Sequence, residues 1–290
     1  MEFHQPVLEP EVLHWMNLQD NGVYCDCTVG GGGHLYAMLQ ATANARFIGI
    51  DWDPEAIATA RERTAAYAQR LSLHQANFIN LDLILESHNI RAVNGILFDF
   101  GVSYHQVTTP ERGFSFEREG GLLMHMAPET PVLAQKLKVA SKHDLARVLK
   151  DYGDVRNAWR LAELIWANRT DLRTTMDLRN LVAETVPRRF LKKNLHRVFQ
   201  ALRIWVNDEM TNVREGVTRA LKVLATGARL LAISYHSGED RIVKVVLREQ
   251  ENAGAMVRLN KKVIRPSVLE AAGNPSARSA KLRVGERCAV

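Results

Sequence analysis

Only three of the 290 residues are cysteine: Cys25, Cys27 and Cys288. The number is odd and too small for a disulfide framework, and no cluster of metal-ligating residues surrounds them, so no metal is expected. Cys25 and Cys27 alternate along an apparent strand and read as small hydrophobes facing one packed side. No run approaches the roughly 20 apolar residues that a membrane-spanning helix needs. The opening stretch, MEFHQPVLEPEVL, lacks a basic segment followed by an apolar one. A secretory signal is therefore not expected, and the cytosol is the expected location. Acidic residues are the minority, 32 Asp and Glu against 38 Lys and Arg, for a net charge of +6. That balance suits a polyanionic partner, although charge alone is equally compatible with a basic protein that has none.

The length predicts one large domain, or a core with a smaller unit. Strand and helix signals alternate through the first hundred residues. Val23 to Val29 is a β-rich run ending in four glycines, and Phe47 to Ile50 is a second apolar run ending at Asp51. Pro54 opens a helix at a position where proline costs nothing. Leu71 to Ala76 reads as a third strand, and Gly95 to Phe98 as a strand buried on both faces. This order predicts an α/β fold, a doubly wound parallel sheet. Residues 101–130 then lose all period, as a functional lid would. Residues 131–197 read as a helical insertion between core segments 1–130 and 198–290. A single long amphipathic helix is expected from about Phe199 to Leu224, stopped by Gly227, with strands at Arg229–Ser234 and Lys281–Val284 flanking a helix from Glu239 to Glu251.

The chemistry concentrates at strand ends. Glycines 30–33 between the first strand and first helix let backbone approach a ligand closely. Asp51, closing the second strand, suits the two ribose hydroxyls of an adenosine. Together they indicate a nucleoside-containing cofactor. The strict G-x-G-x-x-G fingerprint is absent, because Gly30 and Gly32 are followed by Leu35, and Gly31 and Gly33 by Tyr36. No Walker lysine follows either. Asp26, just before the loop, is ill suited to a pyrophosphate and well suited to a sulfonium and an ammonium. S-adenosylmethionine is thus favoured over a nicotinamide. Asp99 closes the fourth strand and should share one crevice with Asp26 and Asp51; Gln106 follows at a distance from which its amide can reach that space. Six basic residues, Arg188, Arg189, Lys192, Lys193, Arg197 and Arg203, lie between Pro187 and Asn207 without an acid, and Arg278, Lys281, Arg283 and Arg287 crowd the tail. Two such features favour phosphate contact. Ser234 to Arg241 (SYHSGEDR) holds a serine and a histidine but no G-x-S-x-G elbow, and a strand end with a capped helix start accounts for Ser237 and Asp240.

Seven motifs, in order, resemble the RsmH (MraW) family: D-x-T-x-G-x-G-G-H from Asp26 to His34, I-D-x-D-P from Ile50, D-F-G-V-S-x-x-Q from Asp99 to Gln106, E-R-G-F-S-F from Glu111, F-Q-A-L-R-I from Phe199, S-Y-H-S-x-E-D-R from Ser234, and N-P-x-x-R-S-A-K-L-R from Asn274. The resemblance spans nearly the whole chain. It implies a Rossmann-like class I methyltransferase with a seven-stranded sheet and an inserted small all-helical domain for substrate recognition. It further implies N4-methylation of a cytidine in the decoding region of small-subunit ribosomal RNA, with that RNA or the small subunit as partner and a monomeric or homodimeric enzyme. By position, Gly32, Gly33, His34, Asp51, Phe78, Asp99 and Gln106 become cofactor residues beside Asp26. Arg112, Phe114 and Phe116 in the lid, with Arg188, Arg189, Lys192, Lys193 and Arg197, become candidates for RNA contact.

The chain departs from the family where L-D-M-R-M-D is replaced by Leu122-Leu123-Met124-His125-Met126-Ala127, so Leu123, His125 and Ala127 remove two acids and an arginine from the lid. Tyr104-His105, Lys193-Asn194-Leu195 and Gly238 are further departures. They leave open a catalytically impaired RNA-binding paralogue or a retargeted enzyme. For catalysis, Asp99 is the candidate acceptor of the amine's hydrogen bond and proton. A flipped base is needed, against which Phe114 and Phe116 either stack or simply pack the lid.

Overall fold

The computed structural model describes residues 6–289; the first five residues of the N-terminal stretch read above lie outside them. The chain divides into two compact units. One comprises the residues up to Gly101 together with those from Met210 onward, and the other is Val102–Glu209. In chain order the first unit begins with α1 (Glu9–Met16), β1 (Val23–Asp26), α2 (Gly33–Gln40), β2 (Arg46–Asp51), α3 (Pro54–Arg63), β3 (Leu71–Gln75), α4 (Leu81–Ser87) and β4 (Val93–Asp99). The second unit holds α5 (Tyr104–Thr108), α6 (Leu133–Val139), α7 (Lys142–Gly153), α8 (Ala158–Asn168), α9 (Thr175–Thr185) and α10 (Leu191–Asn207). The first unit resumes with α11 (Glu209–Val223), β5 (Leu224–Ser234), α12 (Ser237–Asn252), β6 (Met256–Arg258), α13 (Val268–Gly273) and β7 (Lys281–Arg287).

The first unit is built on a seven-stranded sheet of order β3-β2-β1-β4-β5-β7-β6. The five strands from β3 to β5 pair in parallel, whereas β7 runs antiparallel to both β5 and β6. The parallel sheet expected from the sequence therefore ends in an antiparallel edge. Strand β4, the apolar run 95–98, is buried on both sides: Ile96 and Phe98 pack into one hydrophobic cluster, with Cys25 and Cys27, and Leu97 into the other. Burying a side chain such as Phe98 contributes about 2–3 kcal/mol. Pro54 stands at the first turn of α3, and Asp53 caps that helix by accepting the Glu55 N–H at 3.0 Å. Chain order leaves β1 between β2 and β4, with the path turning outward in opposite directions on its two sides. The carboxyl ends of β1 and β4 consequently flank the switch point at which α/β sheets bind ligands.

The second unit has its own core, and it is larger than the insertion 131–197 expected from the sequence. Phe114, Phe116, Leu122 and Met124 belong to that core together with residues of α6 to α10. The segment 101–130 is thus largely part of the helical unit's packing. Its backbone is tied down as well: the N–H of Thr175 donates to the carbonyl of Gly120, and Leu133 and Ala134 donate to the carbonyls of Leu123 and Leu122. The expected single helix 199–224 is two helices. Asp208 takes a left-handed conformation, φ 48°, and ends α10. The buried Asn207 fixes that end by donating to the Met124 carbonyl at 2.8 Å and accepting the Met126 N–H at 2.8 Å. The apolar period continues across the break, which is why the sequence alone conceals it.

Candidate active site

The site grows from the turns that leave β1, β2 and β4. Beyond β1 the chain cannot continue as a strand, because Gly30 and Gly32 take φ of 52° and 76°. Glycine alone adopts such angles at little cost. Gly32 caps α2 and passes so close to α3 that a Cβ would lie 3.2 Å from the Cα of Ala60; Gly30, by contrast, has nothing within 4 Å of that direction. One glycine serves packing and the other keeps space open beside Asp51.

Backbone donors fix the carboxylates of Asp51 and Asp26, and a tyrosine hydroxyl that of Asp99. Asp51 accepts the Gly30 N–H at 2.7 Å on Oδ2 and the Asp53 N–H at 2.9 Å on Oδ1. Asp26 accepts the Thr28 N–H at 3.1 Å on Oδ1. Its Oδ2 is buried and has no hydrogen-bond partner among the described residues. The Thr28 hydroxyl accepts the Asp99 N–H at 2.5 Å, which ties the end of β4 to the turn after β1. Asp99 accepts the Tyr235 hydroxyl on Oδ1 at 2.8 Å, and its Oδ2 lies 3.6 Å from His34 Nδ1.

Burial raises all three acids. Desolvation, with contributions from Asp99 and Asp51, pushes Asp26 from 3.8 to about 7 despite His34 and the Thr28 bond. Asp51 rises to about 6, desolvation outweighing the backbone N–H donors of Asp53, Gly30 and Trp52. Asp99 rises to about 7 through desolvation, moderated by the Tyr235 hydroxyl. Burial lowers His34. Such a cluster is short of positive charge, and an ammonium or sulfonium is the complement it lacks. The orphaned Asp26 oxygen and the open side of Gly30 suit a cationic group such as the amino-acid end of S-adenosylmethionine.

The other sequence candidates fall in several places. His34 is almost fully buried, and its Nε2 donates to the Val7 carbonyl at 2.8 Å, so its imidazole is part of the fold rather than a free ligand. Gly33 packs against Pro6 and Arg63. Phe78, just past β3, stands edge-on to Phe98 and Phe100 at 5.5 and 5.9 Å. It also presses on Gly216 of α11, where a Cβ would come within 2.4 Å of its ring. Gln106 lies in the second unit, buried, and its side-chain oxygen accepts the Ser103 N–H at 3.0 Å in a capping box.

Within the second unit, the alternative of base stacking by Phe114 and Phe116 is not what the structure displays. Each is 8 % exposed. Phe116 is packed edge-on against Phe199 and His196. Arg112 lies over Phe114 and donates to the His125 carbonyl at 3.3 Å. Among the basic residues in and just before α10, Lys192 pairs with Glu117 at 3.2 Å and Arg197 with Asp154 at 2.9 Å. Arg203 is held by both oxygens of Glu209 at 2.8 Å. Arg188, Arg189 and Lys193 make no ion pair among the described residues, and Arg189 covers Phe190, which is 46 % exposed.

The basic tail is structural. Arg283 is buried against Asp240 at 2.7 Å, Arg287 donates to the carbonyls of Leu221, Lys222 and Leu224 at the end of α11, and Arg278 to that of Ala271. The phosphate role expected for this cluster is taken by internal partners at three of its four positions. The cap of α12 is His236 rather than Ser237, with Glu239 closing the box by accepting the N–H groups of Tyr235 and His236. Sequence reasoning missed Tyr235 as a site residue. Its motif, a strand end in register with Asp99, was visible, but the pairing of β4 with β5 was not.

Known proteins resemble this chain in sequence and in fold. The chain is 40% identical over 290 residues to the ribosomal RNA small subunit methyltransferase H of Sulfurihydrogenibium sp. (strain YO3AOP1), covering 98% of this chain and 99% of that protein. It is also 40% identical over 291 residues to the protein of the same name from Thermotoga neapolitana, covering 98% and 96%. The crystal structure of NSun6 from Pyrococcus horikoshii with SFG shares the fold at a TM-score of 0.50 and 12% identity, covering 99% of this chain and 53% of that one. The model of the MraW methylase family matches residues 1–288, and the chain belongs to that family.

Proposed function

We propose that the protein transfers a methyl group from S-adenosylmethionine to the exocyclic N4 amine of a cytidine in small-subunit ribosomal RNA. The observation that carries the reading is the trio Asp26, Asp51 and Asp99 around an open glycine turn, with one buried carboxylate oxygen lacking a donor. The relatives named ribosomal RNA small subunit methyltransferase H support the RNA substrate; the cytidine N4 atom rests on the family resemblance.

When bound, the cofactor supplies an electrophilic methyl group on a sulfonium whose departure leaves a neutral sulfide. The chain's task is alignment, exclusion of water and removal of one proton. Asp26 receives the ammonium, and Asp51 the ribose hydroxyls. Asp99 accepts a hydrogen bond from the target amine, whose lone pair is otherwise delocalised into the ring, and takes its proton as the C–N bond forms. Arg188, Arg189 and Lys193 meet the RNA backbone. The enzyme works in the cytoplasm, where ribosomes are assembled.

The test is transfer of labelled methyl from S-adenosylmethionine to undermethylated small subunits, followed by nuclease digestion and mass spectrometry of the labelled nucleoside. N4-methylcytidine is expected. Binding of cofactor and RNA without turnover would favour the impaired paralogue, a reading motivated by Leu123, His125 and Ala127; label on another molecule would favour a retargeted enzyme. Asp99→Asn should retain cofactor binding and lose about 100-fold or more in rate; full rate in that variant removes Asp99 from the chemistry.

A further inference from the structure

Asp99 is gripped on one side only. Its Oδ1 accepts the Tyr235 hydroxyl at 2.8 Å, while Oδ2 faces His34 Nδ1 at 3.6 Å. His34 Nε2 lies 2.8 Å from a carbonyl, which can only accept, so in the neutral ring the proton sits on Nε2 and Nδ1 is bare. Oδ2 therefore meets a lone pair, not a donor, and the gap between the two atoms is a place for one proton. Asp99 keeps 22 % of its side chain exposed, whereas Asp26 is 1 % exposed, so Asp99 is the more accessible of these two to a reacting group.

The tyrosine is placed for this contact by the sheet itself. Asp99 pairs with Ile233 across β4 and β5, and the Phe100 N–H donates to the Ile233 carbonyl at 3.0 Å. Two residues on, the Tyr235 N–H is held by Glu239 at 2.8 Å. Gly101 takes φ 110°, which a side chain would rarely adopt, and turns the chain beneath the tyrosine ring, 3.4 Å from where a Cβ would stand. Tyrosine in place of phenylalanine at such a packed position calls for a role for its hydroxyl, and here that hydroxyl donates to Asp99.

We propose that Tyr235 is a positioning residue for methyl transfer, holding Asp99 through Oδ1 so that Oδ2 takes the proton of the target amine. The step balances: the sulfur–carbon bond breaks with its electron pair on sulfur, the carbon–nitrogen bond forms, and the amine N–H becomes an O–H on Asp99. The tyrosine hydroxyl keeps its proton throughout, in keeping with the upward push that burial and Asp99 give it. The inference rests on Asp99 being the amine's acceptor, as proposed above.

The titratable groups facing Asp99 are Tyr235 after β5, Glu239 at the start of α12, His34 on α2 and Asp26 at the end of β1. Of these the tyrosine favours the carboxylate and Glu239 opposes it. Removing the hydroxyl raises the acidity midpoint of Asp99, and since the carboxylate is the working form, rate should rise with pH through a higher midpoint. Tyr235→Phe is thus expected to keep its melting temperature and its affinity for S-adenosylmethionine. Single-turnover rate should fall about tenfold at neutral pH, and the midpoint of the pH–rate profile should move up by about one unit. Replacing Tyr235 by a fluorotyrosine, a stronger donor with the same packing, should move the midpoint down, and it decides the matter should the phenylalanine variant fail to fold. An unmoved midpoint in a folded Tyr235→Phe or in the fluorotyrosine protein overturns the inference. If Asp99→Asn is inactive while the midpoint stays put, this inference alone falls; if Asp99→Asn is fully active, the acceptor role itself falls with it.

Discussion

Replacing Asp26 by asparagine should stabilise the protein above neutrality while weakening its grip on the methyl donor. Asp26 is raised from 3.8 to about 7, so folding favours its protonated form. The associated stability is fully present below about pH 4 and is lost as pH rises through 7, amounting to about 4 kcal/mol of cost by pH 8. Asparagine cannot ionise and escapes that cost. Its Oδ1 keeps the Thr28 N–H, but its amide places a donor where Oδ2 has no partner, which returns about 1–3 kcal/mol. The net gain at pH 8 is about 1–3 kcal/mol, or about 2–6 °C in melting temperature. At pH 5 the native carboxyl is already protonated, and the variant should be equal to it or slightly less stable. Calorimetric titration at pH 8 should show affinity for S-adenosylmethionine about 30-fold weaker, the loss expected for one partner of a buried charge pair. Thermal melts at the two pH values make the decisive assay. Equal destabilisation at pH 5 and pH 8 would refute the claim that the buried acid is held against its preference for a cationic ligand.

Two further expectations follow from the same structure. Gly32→Ala forces a side chain into φ 76° and within 3.2 Å of the Ala60 Cα, so urea denaturation should show a loss of about 1–3 kcal/mol; a variant as stable as the parent would mean that the turn is not fixed by its contact with α3. The double variant Arg188→Ala, Lys193→Ala should reduce the salt dependence of RNA binding by a slope of about 2 and lower affinity about tenfold at physiological salt, whereas Arg197→Ala, whose guanidinium is already spent on Asp154, should change the slope less. Equal slopes in all three proteins would remove this turn from the RNA interface.

Much of the candidate site was legible in the sequence because strand ends announce themselves. Asp26, Asp51 and Asp99 each close an apolar run, and a parallel sheet collects the carboxyl ends of its strands along one edge. The glycines were legible as a turn, but not which of them packs on α3 and which faces open space. His34 reads the same in sequence whether it touches a ligand or, as here, bonds to Val7. The basic runs were least legible, since charge in a sequence carries no information about partners: Arg283, Arg287 and Arg197 look like Arg188 until the fold brings Asp240, the end of α11 and Asp154 beside them.

The sequence by itself determined the alternation of strands and helices, the glycine turn, the acids at three strand ends and the family, because each is written in local period or in a short motif. The tertiary structure decided the matters that depend on residues far apart in the chain. It set the antiparallel β7, the break at Asp208 where Asn207 reaches back to Met124, and the capture of Phe114 and Phe116 by the helical core. It also brought Tyr235 to Asp99 across 136 residues. Local periodicity records which face of an element is apolar, and only packing selects the element that covers that face.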